Sequence, residues 1–251
     1  MKTNYVIDCT FGSATFSRFT LAIQELILHP LNNLGEIYFD YHGLFDQVLI
    51  QNKPDQYTQL YTSFKGCYGE GSLLPTKDKE LIDKVISKLT LHPNILNKIP
   101  SGITPKTLGV HIRLTDFITA DMRYSGSGRN FTTEDIIKKT YQILETGKYN
   151  NIFLACDNTE SKEKFSKEFN VITNEISHLF YKEHDPIRES TPFWADPIDK
   201  INEQSNIAIQ EAFIDMYSLS KCGGILRGGS NLGNAALMFS NTITENYNYD
   251  L

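Results

Sequence analysis

A chain of 251 residues with 40% hydrophobic and 22% charged residues has an ordinary globular make-up, long enough for one large domain or two compact ones. Its formal net charge of −6 argues against a general nucleic-acid binder, so any polyanion it holds is small and gripped locally. No apolar run approaches the roughly 20 residues of a membrane span, and Tyr5-Val6-Ile7 meets Asp8 at once, which predicts a cytoplasmic protein without a signal segment.

In chain order, Tyr5 to Cys9 reads as a short strand and Phe11-Gly12-Ser13 as a turn. A helix follows from about Thr15 to Leu28, with Phe16, Phe19, Ile23, Leu26 and Ile27 on its apolar face, and Pro30 stops it. Glu36 to Asp40 predicts a second strand, and Asp78 to Leu91 an amphipathic helix ended by His92-Pro93. The strand order of this half is not legible. Ser101-Gly102-Ile103-Thr104-Pro105 breaks both regular structures and predicts a linker, which divides the chain into residues 1–100 and 101–251.

After the linker the pattern is regular. Strand Thr107 to Arg113, helix Thr133 to Glu145, strand Asn151 to Cys156, helix Thr159 to Phe169 and a short strand Val171 to Thr173 follow one another. A long helix from about Asn206 to Ser220 precedes strand Gly224 to Leu226, helix Ser230 to Phe239 and a last strand near Thr242 to Thr244. This alternation predicts an α/β fold with βαβ units and a parallel sheet. Cys9, Cys67, Cys156 and Cys222 lack metal-type spacing and predict free thiols, buried by default.

Polar residues gather at three predicted strand ends, where open α/β sheets bind their ligands. Gly109 to Asp116 presents His111, Arg113 and Asp116 within six residues. A guanidinium there suits a phosphate, because its donors are planar, bidentate and always charged; a surface ion pair is the simpler alternative. Asp157 ends the second strand, either as an acceptor of hydrogen bonds from a sugar or base, or as the N-cap of the next helix. Leu226-Arg227-Gly228-Gly229-Ser230-Asn231 is a glycine turn in which Ser230 or Asn231 opens a helix, whose free N–H groups and dipole favour an anion. It matches neither the Walker A nor the GxGxxG pattern, and a tight turn without ligand is the alternative. Asp215 stands between Ile214 and Met216 on the long helix. It either faces solvent or accepts the two N–H donors of a guanine edge.

The order His-x-Arg-x-Thr-Asp at a strand end, a strand closing Ala-x-Asp, then Ile-Asp followed by an apolar strand and a serine turn resembles the fucosyltransferase superfamily. That group includes α1,6-fucosyltransferases, NodZ enzymes and protein O-fucosyltransferases. The likeness runs from about Leu108 to Phe239 and does not cover the first hundred residues. It implies a GT-B-like architecture of two Rossmann-like lobes, with the C-terminal lobe holding the nucleotide sugar and residues 1–100 on the acceptor side. By position, Arg113 would grip the diphosphate, His111 would lie near the nucleoside and Asp215 would read guanine. Ser230 and Asn231 would cap the phosphates, and Asp116 joins this binding set. Asp121, five residues after Asp116, would be the general base. The chain departs from the family at Leu114, where the α1,6 and NodZ enzymes have a second arginine, at Phe117 and at the pair Ser230-Asn231.

The resemblance therefore implies an inverting glycosyltransferase that moves a sugar from a GDP-sugar to a glycan hydroxyl. No DxD-like motif stands at a strand end, so the expectation is a site without metal or cofactor, with positive groups on the leaving diphosphate. Two other classes stay open: a nucleotide-sugar epimerase on the same scaffold, and a non-catalytic nucleotide- or glycan-binding module. His184 and Trp194 carry no assigned role.

Overall fold

Each half of the chain is organised around its own first strand. The computed structural model describes residues 2–9, 15–41, 43–62, 78–114, 131–175 and 203–249. In the first half, β1 (Thr3–Asp8) leads into α1 (Thr15–Ile27), β2 (Leu34–Asp40) and β3 (Thr58–Tyr61). These strands form a parallel three-stranded sheet in the order β2-β1-β3. Short helices α2 (Lys79–Ile86) and α3 (Pro93–Leu96) follow.

In the second half, β4 (Thr107–Ile112), α4 (Thr133–Leu144), β5 (Asn151–Cys156), α5 (Thr159–Glu168), β6 (Val171–Thr173) and α6 (Glu203–Ser220) precede β7 (Gly224–Arg227), α7 (Asn231–Phe239) and β8 (Glu245–Asn248). The five strands are all parallel, in the order β6-β5-β4-β7-β8. The chain walks from β4 to β6 on one side and returns to β7 and β8 on the other. The boundary between β4 and β7 is therefore the topological switch point, and the crevice beyond their carboxyl ends is where such sheets take a ligand. The smaller sheet reverses in the same way between β1 and β3.

Both faces of the larger sheet are covered, as parallel sheets require. Leu108, Val110 and Ile112 pack with Ile136, Ile143 and Phe165 of α4 and α5. The opposite face meets α6 and α7. Gly109 is there because a Cβ at that position would come within 2.8 Å of Leu219, so α6 lies directly on β4. The apolar cluster on this side continues into the first half. The Phe19 ring of α1 lies 5.3 Å from Phe39 and from Phe213 and 5.9 Å from Phe239, a seam joining both halves.

Beyond the short helix α3, which the sequence reading does not expect, three elements differ from the sequence-based expectation. Strand β3 carries one inward apolar residue, Leu60, and is revealed only by its pairing with β1. The helix expected to run to Leu91 ends at Ile86, where the Ser87 hydroxyl turns back to the Lys84 carbonyl, and Leu91 bridges to Leu49 instead. The last strand begins at Glu245. The Thr242–Thr244 stretch is a turn held by side chains, with Thr242 Oγ1 donating to the Cys222 carbonyl and Ser240 Oγ accepting from the Ile243 N–H. Threonine content there reflects hydroxyl bonding rather than a ladder.

Candidate functional site

The switch point of the larger sheet gathers charge from two strands. Register places His111 of β4 opposite Arg227 of β7, each at the carboxyl end of its strand. His111 is buried, and among the described residues its Nδ1 has no hydrogen-bond partner. Burial lowers its pKa to about 3, and the Arg113 and Arg227 charges push the same way. The imidazole is thus neutral at neutral pH, offering one N–H donor and one acceptor beside two guanidinium groups.

Arg113 lies one residue beyond β4 and is half-buried. Its path is set from the neighbouring strand, because Asp157 Oδ1 accepts the Leu114 N–H at 3.3 Å. Asp157 is not the N-cap of α5. That position is Asn158, whose Oδ1 accepts the Ser161 N–H at 2.7 Å, while its Nδ2 donates to Asp157 at 3.1 Å. An amide one residue further along reaches the helix mouth, which leaves the carboxylate to tie β5 to the end of β4.

Arg227 carries more weight in the site than its place in the sequence shows. It is only 2% exposed, and its Nε donates to Asn246 Oδ1 at 3.1 Å and its Nη1 to the Gly228 carbonyl at 3.2 Å. A Cβ on Gly233 would lie 2.7 Å from Arg227 Cδ, so that glycine lets the arginine stem cross the first turn of α7. An arginine closing an otherwise apolar strand was the signal available.

Ser230 is the N-cap of α7, its Oγ accepting the Leu232 N–H at 3.3 Å, and Asn231 is the first helical residue. The helix therefore opens at the end of β7 with its positive pole toward the switch point, an arrangement suited to an anion.

Asp215 lies in the middle of α6 and is buried, not turned to solvent. Asn174, just after β6, donates to its Oδ1 at 2.6 Å and also reaches Ser218. Burial raises the Asp215 pKa to about 7; the Asn174 bond and Lys162 oppose the rise, and Glu211 adds to it. Nothing local in the sequence marks Asn174; its own Oδ1 is buried without a partner among the described residues.

These groups follow the carboxyl edge of the sheet from β6 to β7, three strand spacings or about 14 Å. Asp116 and Asp121 lie outside the described residues, as do His184, Trp194 and Cys67. Among the described residues no group of three or more His, Cys, Asp or Glu is disposed to hold a metal ion. No helix among them is long and apolar enough to cross a membrane. Cys9, Cys156 and Cys222 are buried free thiols.

The fold is similar to that of NodZ alpha-1,6-fucosyltransferase co-crystallised with GDP, with a TM-score of 0.52 and 13% identity over 96% of this chain and 93% of that one. It is also similar to POFUT1 in complex with GDP, with a TM-score of 0.50 and 8% identity over 100% of this chain and 99% of that one. At such identities the likeness is one of architecture: the chain has a fucosyltransferase-like, GT-B-like α/β fold with parallel sheets. No family model matches the sequence, and no curated protein is significantly similar to it.

Proposed function

We propose that this protein is an inverting, GDP-sugar-dependent glycosyltransferase of the fucosyltransferase kind. The observation that carries the reading is the set of groups at the β4/β7 switch point. A neutral His111 feels the charges of both Arg113 and Arg227, and the Ser230-capped helix opens on the same edge. In this reading Arg113 and the mouth of α7 hold the two phosphates, while Asp215, ionised, accepts the guanine N–H donors. About 14 Å of sheet edge between β6 and β7 matches the extent of a nucleoside diphosphate.

Chemistry follows from where charge develops. As the bond from the anomeric carbon to the diphosphate breaks, negative charge grows on the leaving oxygen, and in this reading the guanidinium and helix N–H groups at that edge stabilise it. The acceptor hydroxyl loses its proton to the Asp121 carboxylate as it attacks the opposite face of the sugar. The first hundred residues would present the acceptor. Because the positive groups neutralise the diphosphate, turnover is expected to survive chelator.

Calorimetry with GDP, UDP and dTDP tests the donor site directly. GDP should bind tightest, and Arg113→Ala should weaken it by roughly 10- to 100-fold, the worth of about 1.5–3 kcal/mol for a charge-assisted contact. An unchanged GDP affinity in that variant would contradict the reading. GDP binding with no transfer to any acceptor would favour the binding-module class, and donor isomerised without acceptor the epimerase class.

A further inference from the structure

The smaller sheet has its own switch point, between β1 and β3, and a buried arginine beside it. Arg18, in the first turn of α1, is 5% exposed. Its Nη1 donates to Tyr41 Oη at 2.5 Å, and its guanidinium carbon stands 4.4 Å from the centroid of the same ring. Tyr41 follows directly on β2 and Cys9 on β1, so the cation sits at the carboxyl edge of this sheet. Burial pushes the Cys9 thiol up, Asp8 and Asp40 add to that, and Arg18 works against it, which places these charges in one locale.

Arg18 is nevertheless poorly compensated. Among the described residues no carboxylate stands within ion-pair distance of it. Its Nε is buried with no hydrogen-bond partner among the described residues. A phenol oxygen and a ring face are neutral partners, and their attraction falls short of the desolvation penalty of a guanidinium. Buried arginines are normally matched by an oxyanion with which the planar fork makes paired bonds. Arg227, on the larger sheet, shows the contrast: its Nε is bonded to Asn246.

We propose that Arg18, with Tyr41, forms a second binding site at the carboxyl edge of the smaller sheet, taking the oxyanion of a ligand: a carboxylate, sulfate or phosphate group. This inference stands without the donor reading; joined to it, the acceptor would be an acidic glycan.

The test uses the full chain. The Arg18 Nε–H resonance is followed by 1H–15N NMR with GDP present, during titration with sodium sulfate, inorganic phosphate or glucuronate at constant ionic strength. The expected result is a saturable shift of that resonance in at least one titration, the strongest probe naming the anion class. Arg18→Met should weaken calorimetric binding of that probe at least tenfold, and Arg18→Lys should restore part of it. Arg113→Ala, run in parallel, should bind GDP more weakly yet keep the Arg18 response, so failure of the donor reading is told apart from failure of this one. An Arg18 resonance unmoved by all three anions, or undiminished binding in a folded Arg18→Met, overturns the proposal. Should Arg18→Met not fold, the wild-type titration decides alone.

Discussion

Two sheet edges in this molecule are built to the same plan and finished differently. Both are parallel, both reverse at their first strand, and both carry a buried arginine at the carboxyl end. On the larger sheet Arg227 is bonded to Asn246 and the Gly228 carbonyl, so it is part of the framework that shapes the turn into α7. On the smaller sheet Arg18 has a tyrosine and, among the described residues, an unpartnered Nε. Topology marks where a ligand goes; the state of its hydrogen bonds separates a cation that builds a site from one that recognises an anion.

The comparison breaks first if the halves are energetically separate. Phe213→Ala removes a ring shared by α6 of one half and α1 of the other, and should cost about 3–5 kcal/mol in urea unfolding. A single transition is expected for the wild type, because one apolar cluster spans both halves. Two separate transitions would mean that the edges belong to independent domains.

Titration sharpens the larger edge. His111 takes up a proton below its ordinary 6.5 only in the unfolded chain, because its folded pKa is about 3, so its contribution to stability is lost as pH falls below 6.5. Asp215 runs the other way. Its folded pKa of about 7 lies above the ordinary 3.8, so the native state holds the extra proton and stability falls as pH rises from 3.8 to 7. Each slope is about 1.4 kcal/mol per pH unit at most, and between pH 4 and 6.5 the two oppose each other. Asp215→Asn should expose the rising limb and His111→Gln the falling one, read from unfolding midpoints at stepped pH. If Asp215 reads guanine, GDP affinity should also climb toward pH 7 in the wild type and lose that climb in Asp215→Asn.

Gly233→Ala tests whether Arg227 is framework. A methyl there meets Arg227 Cδ at 2.7 Å, and overpacking of this kind costs about 1–3 kcal/mol. GDP binding should weaken while the Arg18 response to anions stays, since the two edges share no described partner. The smallest effect is chemical: Cys9, Cys156 and Cys222, buried and with raised pKa values, should resist alkylation at pH 8 in the folded protein and react in urea, as peptide mass spectrometry would show.

Regular helices and buried strands were legible because their signals are periodic. Strand β4, its exit through His111 and Arg113, and the Ser230 cap all appear as contiguous residues. Strand β3 was hidden because a short edge strand has too few inward residues to alternate visibly. Asp157 was ambiguous because either it or Asn158 can cap a helix, and only the position of Leu114 assigns the carboxylate to β4.

By itself the sequence determined what neighbours along the chain can determine: apolar runs, caps, breaks, and the cationic exit of one strand. Tertiary structure decided the rest, namely that His111 faces Arg227, that Asn174 meets a buried Asp215, and that Arg18 meets Tyr41. The physical reason is that burial, proton affinity and hydrogen-bond completion depend on groups far apart in the chain, which come together only when both sheets close on the shared aromatic seam.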